Sequence, residues 1–113
     1  MKEEEKAKKI LESIFLHPKP VKMLIVMRNN NLKYATQIMK AVDCTYSHTV
    51  KTLELFRKFG LVEFNKKGRI KYLKLTSDGE ELALSFEGIV NKLGKISNNF
   101  KEIQVKEQRA AKK

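Results

Sequence analysis

The stretch from residue 61 to residue 76 constrains this chain more than any other part of it. Its sequence is LVEFNKKGRIKYLKLT, in which two apolar, β-rich segments flank a polar loop that contains Gly68. Such segments around a short glycine-containing loop predict a β-hairpin. The hairpin directly follows residues 45–59, whose apolar residues recur at helical spacing. Gly60 ends that helix, so a helix, a glycine stop and a hairpin come in this order.

The predicted tip of the hairpin is strongly basic. Five residues form it: Asn65, Lys66, Lys67, Gly68 and Arg69. A projecting tip gives its three cations no apolar surface to cover, and Lys71 adds a further charge beside it. The loop is therefore suited to contact a polyanion.

The net charge of +11 is concentrated in the middle of the chain. Residues 1–17 carry four cations and four anions, and residues 77–113 carry seven cations and six anions. Residues 18–76 carry thirteen cations and three anions, a net charge of +10. A local excess of this size attracts anionic partners, and nucleic acid is the commonest one for a small basic domain. A merely solubilising surface is the alternative explanation.

Length and composition exclude several classes of protein. A chain of 113 residues is long enough for one domain with a modest core. Its longest apolar run, from Met23 to Met27, is far shorter than the roughly 20 residues that a membrane span needs. The single cysteine, Cys44, fits a reducing compartment, so we predict a cytoplasmic protein without a membrane partner. Because no spaced set of metal ligands and no catalytic constellation occurs, we expect no metal, no cofactor and no enzymatic activity.

Periodicity elsewhere predicts a mainly α-helical chain with one small β-hairpin, an α+β fold. Apolar residues at helical spacing predict five helices: 2–16, 21–28, 35–42, 45–59 and 78–103. Pro18 and Pro20 are expected to interrupt the first helix, because proline cannot donate a backbone hydrogen bond and clashes with the preceding turn. Residues 32–34 could form a very short strand between the second and third helices. Ser77, followed by Glu80, is a capping-box pattern for the last helix.

The segment from Thr45 to Phe59 has two different faces. One is predicted to enter the core: Tyr46, Thr49, Val50, Leu53 and Phe56. The opposite face is short-chained or basic: Ser47, His48, Lys51, Thr52 and Lys58. Such side chains hydrogen-bond to bases or phosphates, and a helix N-terminus, here capped by Thr45, favours a phosphate. Spacing favours the core for Tyr46, although its hydroxyl could reach a phosphate, and His48 is either a contact or merely solvated.

A regular apolar pattern runs along the last predicted helix. Its members are spaced alternately four and three residues apart: Leu82, Phe86, Ile89, Leu93, Ile96, Phe100 and Ile103. This spacing describes a narrow coiled-coil seam on a helix about 39 Å long. The pattern predicts a homodimer in which this helix meets the same helix of a second copy. Residues 106–113 are predicted to be a charged, disordered tail.

The order of these elements resembles a winged helix-turn-helix domain. The resemblance rests on residues 34–42, the turn at 43–44, residues 45–59, Gly60-Leu61-Val62 and Leu75-Thr76-Ser77-Asp78-Gly79. A helix running into Gly-Leu-Val, then a hairpin, then Leu-Thr-x-x-Gly is similar to the MarR and ArsR groups of prokaryotic regulators. The chain also resembles small archaeal winged-helix proteins that dimerise through a long C-terminal coiled coil.

The resemblance implies a homodimer that binds double-stranded DNA and regulates transcription. It implies that residues 45–59 enter the major groove, that residues 35–42 cross the backbone, and that the hairpin reaches the minor groove or phosphates. The candidate DNA contacts are Tyr34, Thr36, Thr45, Ser47, His48, Lys51, Thr52, Lys66, Lys67, Arg69 and Lys71.

Four regions follow from this interpretation: an N-terminal helix (1–17), a DNA-binding domain (18–77), a dimerisation helix (78–105) and the tail (106–113). Two alternatives to a regulator remain open. The first alternative is an architectural chromatin protein with little sequence preference. The second is a module that binds other proteins. Cys44 permits a redox-switch interpretation, but a small residue in a tight turn is the simpler explanation.

Overall fold

The computed structural model describes residues 2–111 of the chain. Its elements are α1 (Lys2–Phe15), α2 (Pro18–Asn29), α3 (Ala35–Val42), α4 (Tyr46–Lys58), β1 (Val62–Lys67), β2 (Ile70–Leu75) and α5 (Ser77–Ala111). The predicted fold class, mainly α-helical with one β-hairpin and a long C-terminal helix, is confirmed. Among residues 2–111, no helix is long and apolar enough to cross a membrane.

Helix α2 begins earlier than the sequence predicted. Pro18 and Pro20 lie in its first turn instead of before it. The N–H groups of a first turn have no partner within the helix, and the fixed φ of proline suits this position. Both prolines therefore start α2, and the predicted start at Val21 is wrong. The first helix nevertheless ends at Phe15, before the two prolines, as predicted.

The very short strand predicted at residues 32–34 does not form. This segment contributes one strand-like hydrogen bond, in which the Leu73 N–H donates to the Lys33 carbonyl oxygen over 2.7 Å. One bond does not make a ladder, so the sheet consists of β1 and β2. The bond nevertheless ties the segment before α3 to the hairpin.

The hairpin is tighter than the sequence predicted. β1 and β2 pair antiparallel from Val62 opposite Leu75 to Lys67 opposite Ile70, which leaves two residues in the loop. The first of them, Gly68, has a φ of 65°. Two-residue hairpin loops need a positive φ there, and glycine adopts it without strain.

The hydrophobic core lies where α2, α3, α4 and the base of the hairpin meet. Its largest fully buried side chains are Phe56, Met23, Leu24, Ile38, Leu53, Val62 and Thr49. Helix α5 contributes the fully buried Ala83. Helix α1 covers the core with Phe15, whose ring stacks on Phe56 at 5.6 Å between centroids. The half-buried Cys44 packs against the same core, in the turn where the sequence placed it.

The start of α5 is bonded to the chain segment that follows α4. Thr76 Oγ1 donates to the Gly60 carbonyl oxygen over 2.6 Å and accepts from the Gly79 N–H over 3.1 Å. The Thr76 N–H donates to the Leu61 carbonyl oxygen over 3.0 Å. Thr76 is therefore the N-cap of α5, and the capping box predicted from Ser77 is wrong.

Helix α5 is longer than the sequence predicted. Its 35 residues span about 52 Å at a rise of 1.5 Å per residue. It includes residues 106–111, which we predicted to be a disordered tail, while residues 112 and 113 lie outside the described part of the chain. The segment contains lysine, glutamate, glutamine, arginine and alanine, all strong helix formers, so it continues the helix.

Candidate nucleic-acid interface

Helix α4 exposes much of its N-terminal half. Five residues of its first two turns are exposed: Tyr46, Ser47, His48, Val50 and Lys51. Thr45 caps the helix as predicted, because its Oγ1 accepts a hydrogen bond from the His48 N–H over 3.2 Å. The helix end carries a partial positive charge that favours an anion.

Two predictions about the faces of α4 are wrong. Tyr46 is 57% exposed and Val50 is 38% exposed, although their spacing placed both in the core. Thr52, predicted as a DNA contact, is only 5% exposed, and its Oγ1 donates to the His48 carbonyl oxygen over 2.9 Å. A buried hydroxyl engaged in this way cannot reach a base edge.

The buried face of α4 is rotated toward the side predicted to be polar. Its members are Thr49, Thr52, Leu53 and Phe56. Like Thr52, Thr49 donates its hydroxyl to a carbonyl oxygen one turn earlier, that of Thr45, over 2.8 Å. Because each hydroxyl has a partner, the two threonines enter the core without an unsatisfied polar group.

The one acidic residue of α4, Glu54, is paired within the helix. Arg57 Nε donates to Glu54 Oε1 over 2.9 Å, and this bond holds the pKa of Glu54 below its usual value. In the described part of the chain, neither Lys51 nor Lys58 has a salt-bridge partner. The exposed side of α4 is therefore positively charged.

A groove of about 310 Å³ lies between α4 and the hairpin. Three elements line it: α3 and its N-cap with Tyr34, Ala35 and Thr36, α4 with Tyr46, Val50 and Leu53, and the hairpin with Phe64, Lys71 and Leu73. Lys71 Nζ lies 5.4 Å from the centroid of the Phe64 ring. The groove thus brings the predicted contacts Tyr34, Thr36 and Lys71 together with two exposed side chains of α4 that we had assigned to the core. These are Tyr46 and Val50.

The hairpin exposes all four of its predicted contacts: Lys66, Lys67, Arg69 and Lys71. Lys66 lies opposite Lys71, on the face that also carries Phe64 and Leu73, while Lys67 lies on the other face. Like charges directly opposite one another destabilise a sheet. An anion that binds between Lys66 and Lys71 would relieve their repulsion.

His48 lies on the other flank of α4. It lines a second groove, of about 470 Å³, with residues of the junction between α1 and α2 that include His17 and Lys19. Ser47 and Lys51, four residues apart on the helix, lie between the two grooves. The structure contains no cluster of three potential metal ligands among residues 2–111.

Sequence reasoning missed three exposed apolar side chains near these cations. Tyr46 and Val50 continue the spacing of the buried Leu53, so periodicity alone could not separate them from the core. Ile70 is 57% exposed and begins β2 directly after the loop. The position of Ile70 beside the predicted hairpin tip was the one feature of the sequence that could have indicated its exposure.

The solved structures that are similar to this arrangement include those of AdcR, MepR and Sso10a-2. The adhesin competence repressor AdcR from Streptococcus pyogenes has a TM-score of 0.65 at 16% identity, over 86% of this chain and 79% of that chain. MepR, a transcription regulator of the Staphylococcus aureus multidrug efflux pump MepA, has a TM-score of 0.63 at 17% identity, over 96% and 89%. Sso10a-2, a DNA-binding protein from Sulfolobus solfataricus, has a TM-score of 0.62 at 17% identity, over 78% and 93%. The chain has the winged-helix fold.

In the winged-helix fold, α4 takes the place of the recognition helix, α3 that of the helix before it, and the hairpin that of the wing. The expected likeness to MarR-family regulators and to small archaeal winged-helix proteins is confirmed at the level of structure. One similar structure is a MepR variant bound to an oligodeoxyribonucleotide, with a TM-score of 0.61 at 17% identity. No family model and no curated protein matches the sequence.

Proposed function

We propose that this protein is a homodimer that binds double-stranded DNA and regulates transcription. The observation that carries the proposal is the convergence of α3, α4 and the hairpin on one exposed, cationic face. The acid of α4 is paired with Arg57, whereas Lys51, Lys66 and Lys71 remain available to an anion. The structurally similar AdcR, MepR and Sso10a-2 are a repressor, a transcription regulator and a DNA-binding protein.

In the proposed complex, α4 lies in the major groove, which is about 12 Å wide and accepts one α-helix. Ser47 and Lys51 face the base edges, and Thr45 with the helix N-terminus faces a phosphate. Tyr34 and Thr36, at the start of α3, contact the backbone. The cations of the wing follow the backbone or enter the adjacent minor groove: Lys66, Lys67, Arg69 and Lys71.

A second copy of the chain is the proposed partner of α5. Five residues of the predicted seam are each at least 52% exposed: Ile89, Leu93, Ile96, Phe100 and Ile103. Leu82 and Phe86 differ, because they pack against the core of their own chain, with the Phe86 ring 5.1 Å from that of Phe15. We therefore place the interface at residues 89–103, within the proposed dimerisation helix 78–105, and leave residues 18–77 as the DNA-binding unit.

The test of DNA binding is fluorescence anisotropy with a random-sequence duplex over a series of salt concentrations. If the four wing cations each neutralise one phosphate, log K falls with log salt at a slope of about −3.6 per protomer. Lys67→Ala should make this slope shallower by about one, whereas Lys101→Ala on α5 removes the same charge and should leave it unchanged. Absence of binding at low salt would instead favour a protein partner.

An architectural protein is the second candidate, favoured by the net charge of +10 over residues 18–76. The two roles differ in sequence preference. For a regulator, selection from a random pool should enrich a site bound at least a thousandfold more tightly than random duplex. Lys51→Ala should then alter the selected site. An unenriched pool would favour the architectural role.

Because Lys66 and Lys71 repel each other across the hairpin, we expect replacement of Lys66 to have opposite effects on stability and on DNA binding. Lys66→Thr should raise the free energy of unfolding by a few tenths of a kcal/mol, because it removes a cross-strand repulsion, and should weaken duplex binding. Lys74→Thr is the matched control, since Lys74 lies opposite Glu63 and loses an attraction. Urea unfolding of both variants, with anisotropy of the first, measures the effect. Equal stabilities of the two variants would show that the Lys66–Lys71 repulsion is negligible.

A further inference from the structure

Tyr46 and Val50 form an exposed apolar patch on the face proposed to meet DNA. They lie four residues apart on α4, so they share one side of the helix. Both line the groove between α4 and the hairpin, with Lys71 at the same groove and Lys51 next along the helix. The next apolar residue on this side of α4, Leu53, is only 2% exposed, so the patch ends after these two side chains.

This patch has a natural counterpart in the major groove. Every base pair presents hydrogen-bonding atoms there, but only thymine presents a methyl group, and apolar side chains read it by contact. Two side chains four residues apart on a helix are separated by about 6 Å, which is close to two base-pair steps of about 3.4 Å. Lys71, at the same groove, would supply a phosphate contact that holds the patch against the bases.

We propose that Val50 and the ring of Tyr46 read the methyl groups of two thymines that lie about two base-pair steps apart in each half-site. The inference rests on the proposed function, in which α4 occupies the major groove. Ser47 and Lys51, on the adjoining side of α4, would supply hydrogen bonds to flanking bases. A half-site for this protein therefore contains thymines opposite the first two turns of α4.

Replacement of thymine by uracil tests the inference, because uracil pairs identically and lacks only the methyl group. The probes are the selected site and the random-sequence pool, each made with thymine and with uracil, and binding is followed by anisotropy. Each contacted methyl should contribute about fourfold in affinity, so replacing both contacted thymines of one half-site should weaken binding to the selected site about fifteenfold.

Variants assign the contacts. Val50→Ala should abolish the preference for thymine over uracil at one position, and Tyr46→Ala should abolish it at the other. Tyr46→Phe keeps the ring and should retain the preference, even if the lost hydroxyl lowers the affinity for both probes. If Val50 were merely structural, Val50→Ala would weaken binding to the thymine and uracil probes equally.

The outcomes separate this inference from the proposed function. Equal affinity for thymine and uracil duplexes would overturn methyl recognition while leaving DNA binding in place. Absence of binding to either duplex at low salt would overturn both. Weaker binding to uracil duplexes that Val50→Ala does not change would overturn the assignment to Val50.

Discussion

Replacing Gly79 with alanine is expected to lower the free energy of unfolding by about 3 kcal/mol. A Cβ atom on Gly79 would lie 2.0 Å from the Leu61 carbonyl oxygen and 3.2 Å from Leu75 Cδ2. The carbonyl is a backbone group that already accepts the Thr76 N–H over 3.0 Å, so it cannot move aside without breaking that bond. Urea unfolding at a fixed protein concentration measures the effect.

Two other glycines of the same helix provide controls of opposite sign. Gly88 and Gly94 have no atom within 4 Å of an added Cβ. Alanine is the better helix former by about 1 kcal/mol, so Gly88→Ala and Gly94→Ala should each stabilise the protein. If Gly79→Ala proved as stable as Gly88→Ala, the close approach of α5 to Leu61 would be refuted.

The contrast among these glycines shows what the sequence could reveal. Gly60 and Gly68 were predictable as a helix stop and a turn residue because local backbone chemistry decides both. The Leu-Thr-x-x-Gly motif was recognisable, but its physical basis was not. That basis is a contact between Gly79 and Leu61, and only the packed structure brings these distant residues together.

The faces of α4 illustrate the same limit. The predicted core face of this helix and its observed buried face share several residues. Periodicity therefore gave no reason to bury Thr52 instead of Tyr46. The choice depends on where α1 and α2 lie, and on hydroxyls that bond to their own helix and so become compatible with a core. The charges of the hairpin were easier to predict, since a strand tip is exposed wherever the strand packs. The groove between α4 and the hairpin depends on how far apart α3, α4 and the hairpin lie. No local sequence pattern predicts that separation.

The double substitution Leu93→Asp with Ile96→Asp is expected to convert a dimer into a folded monomer. Both side chains are more than half exposed in the single chain, so the substitutions disturb no core packing within it. In the proposed dimer they would bury four carboxylates in an apolar seam, which is strongly unfavourable. Sedimentation equilibrium or light scattering reports the mass. Asn91→Asp with Asn98→Asp adds the same charge away from the seam and should leave the dimer intact.

Loss of the dimer should also weaken binding to a two-half-site duplex, by about a hundredfold to ten-thousandfold, because the second α4 no longer binds at high effective concentration. Binding to a single half-site should change little, since the face formed by α3, α4 and the hairpin is untouched. This difference separates avidity from damage to the interface: equal losses on both duplexes would indicate an altered DNA-binding face. A double variant that keeps the mass of a dimer would refute the seam, and an unsubstituted protein that is monomeric would refute the dimer itself.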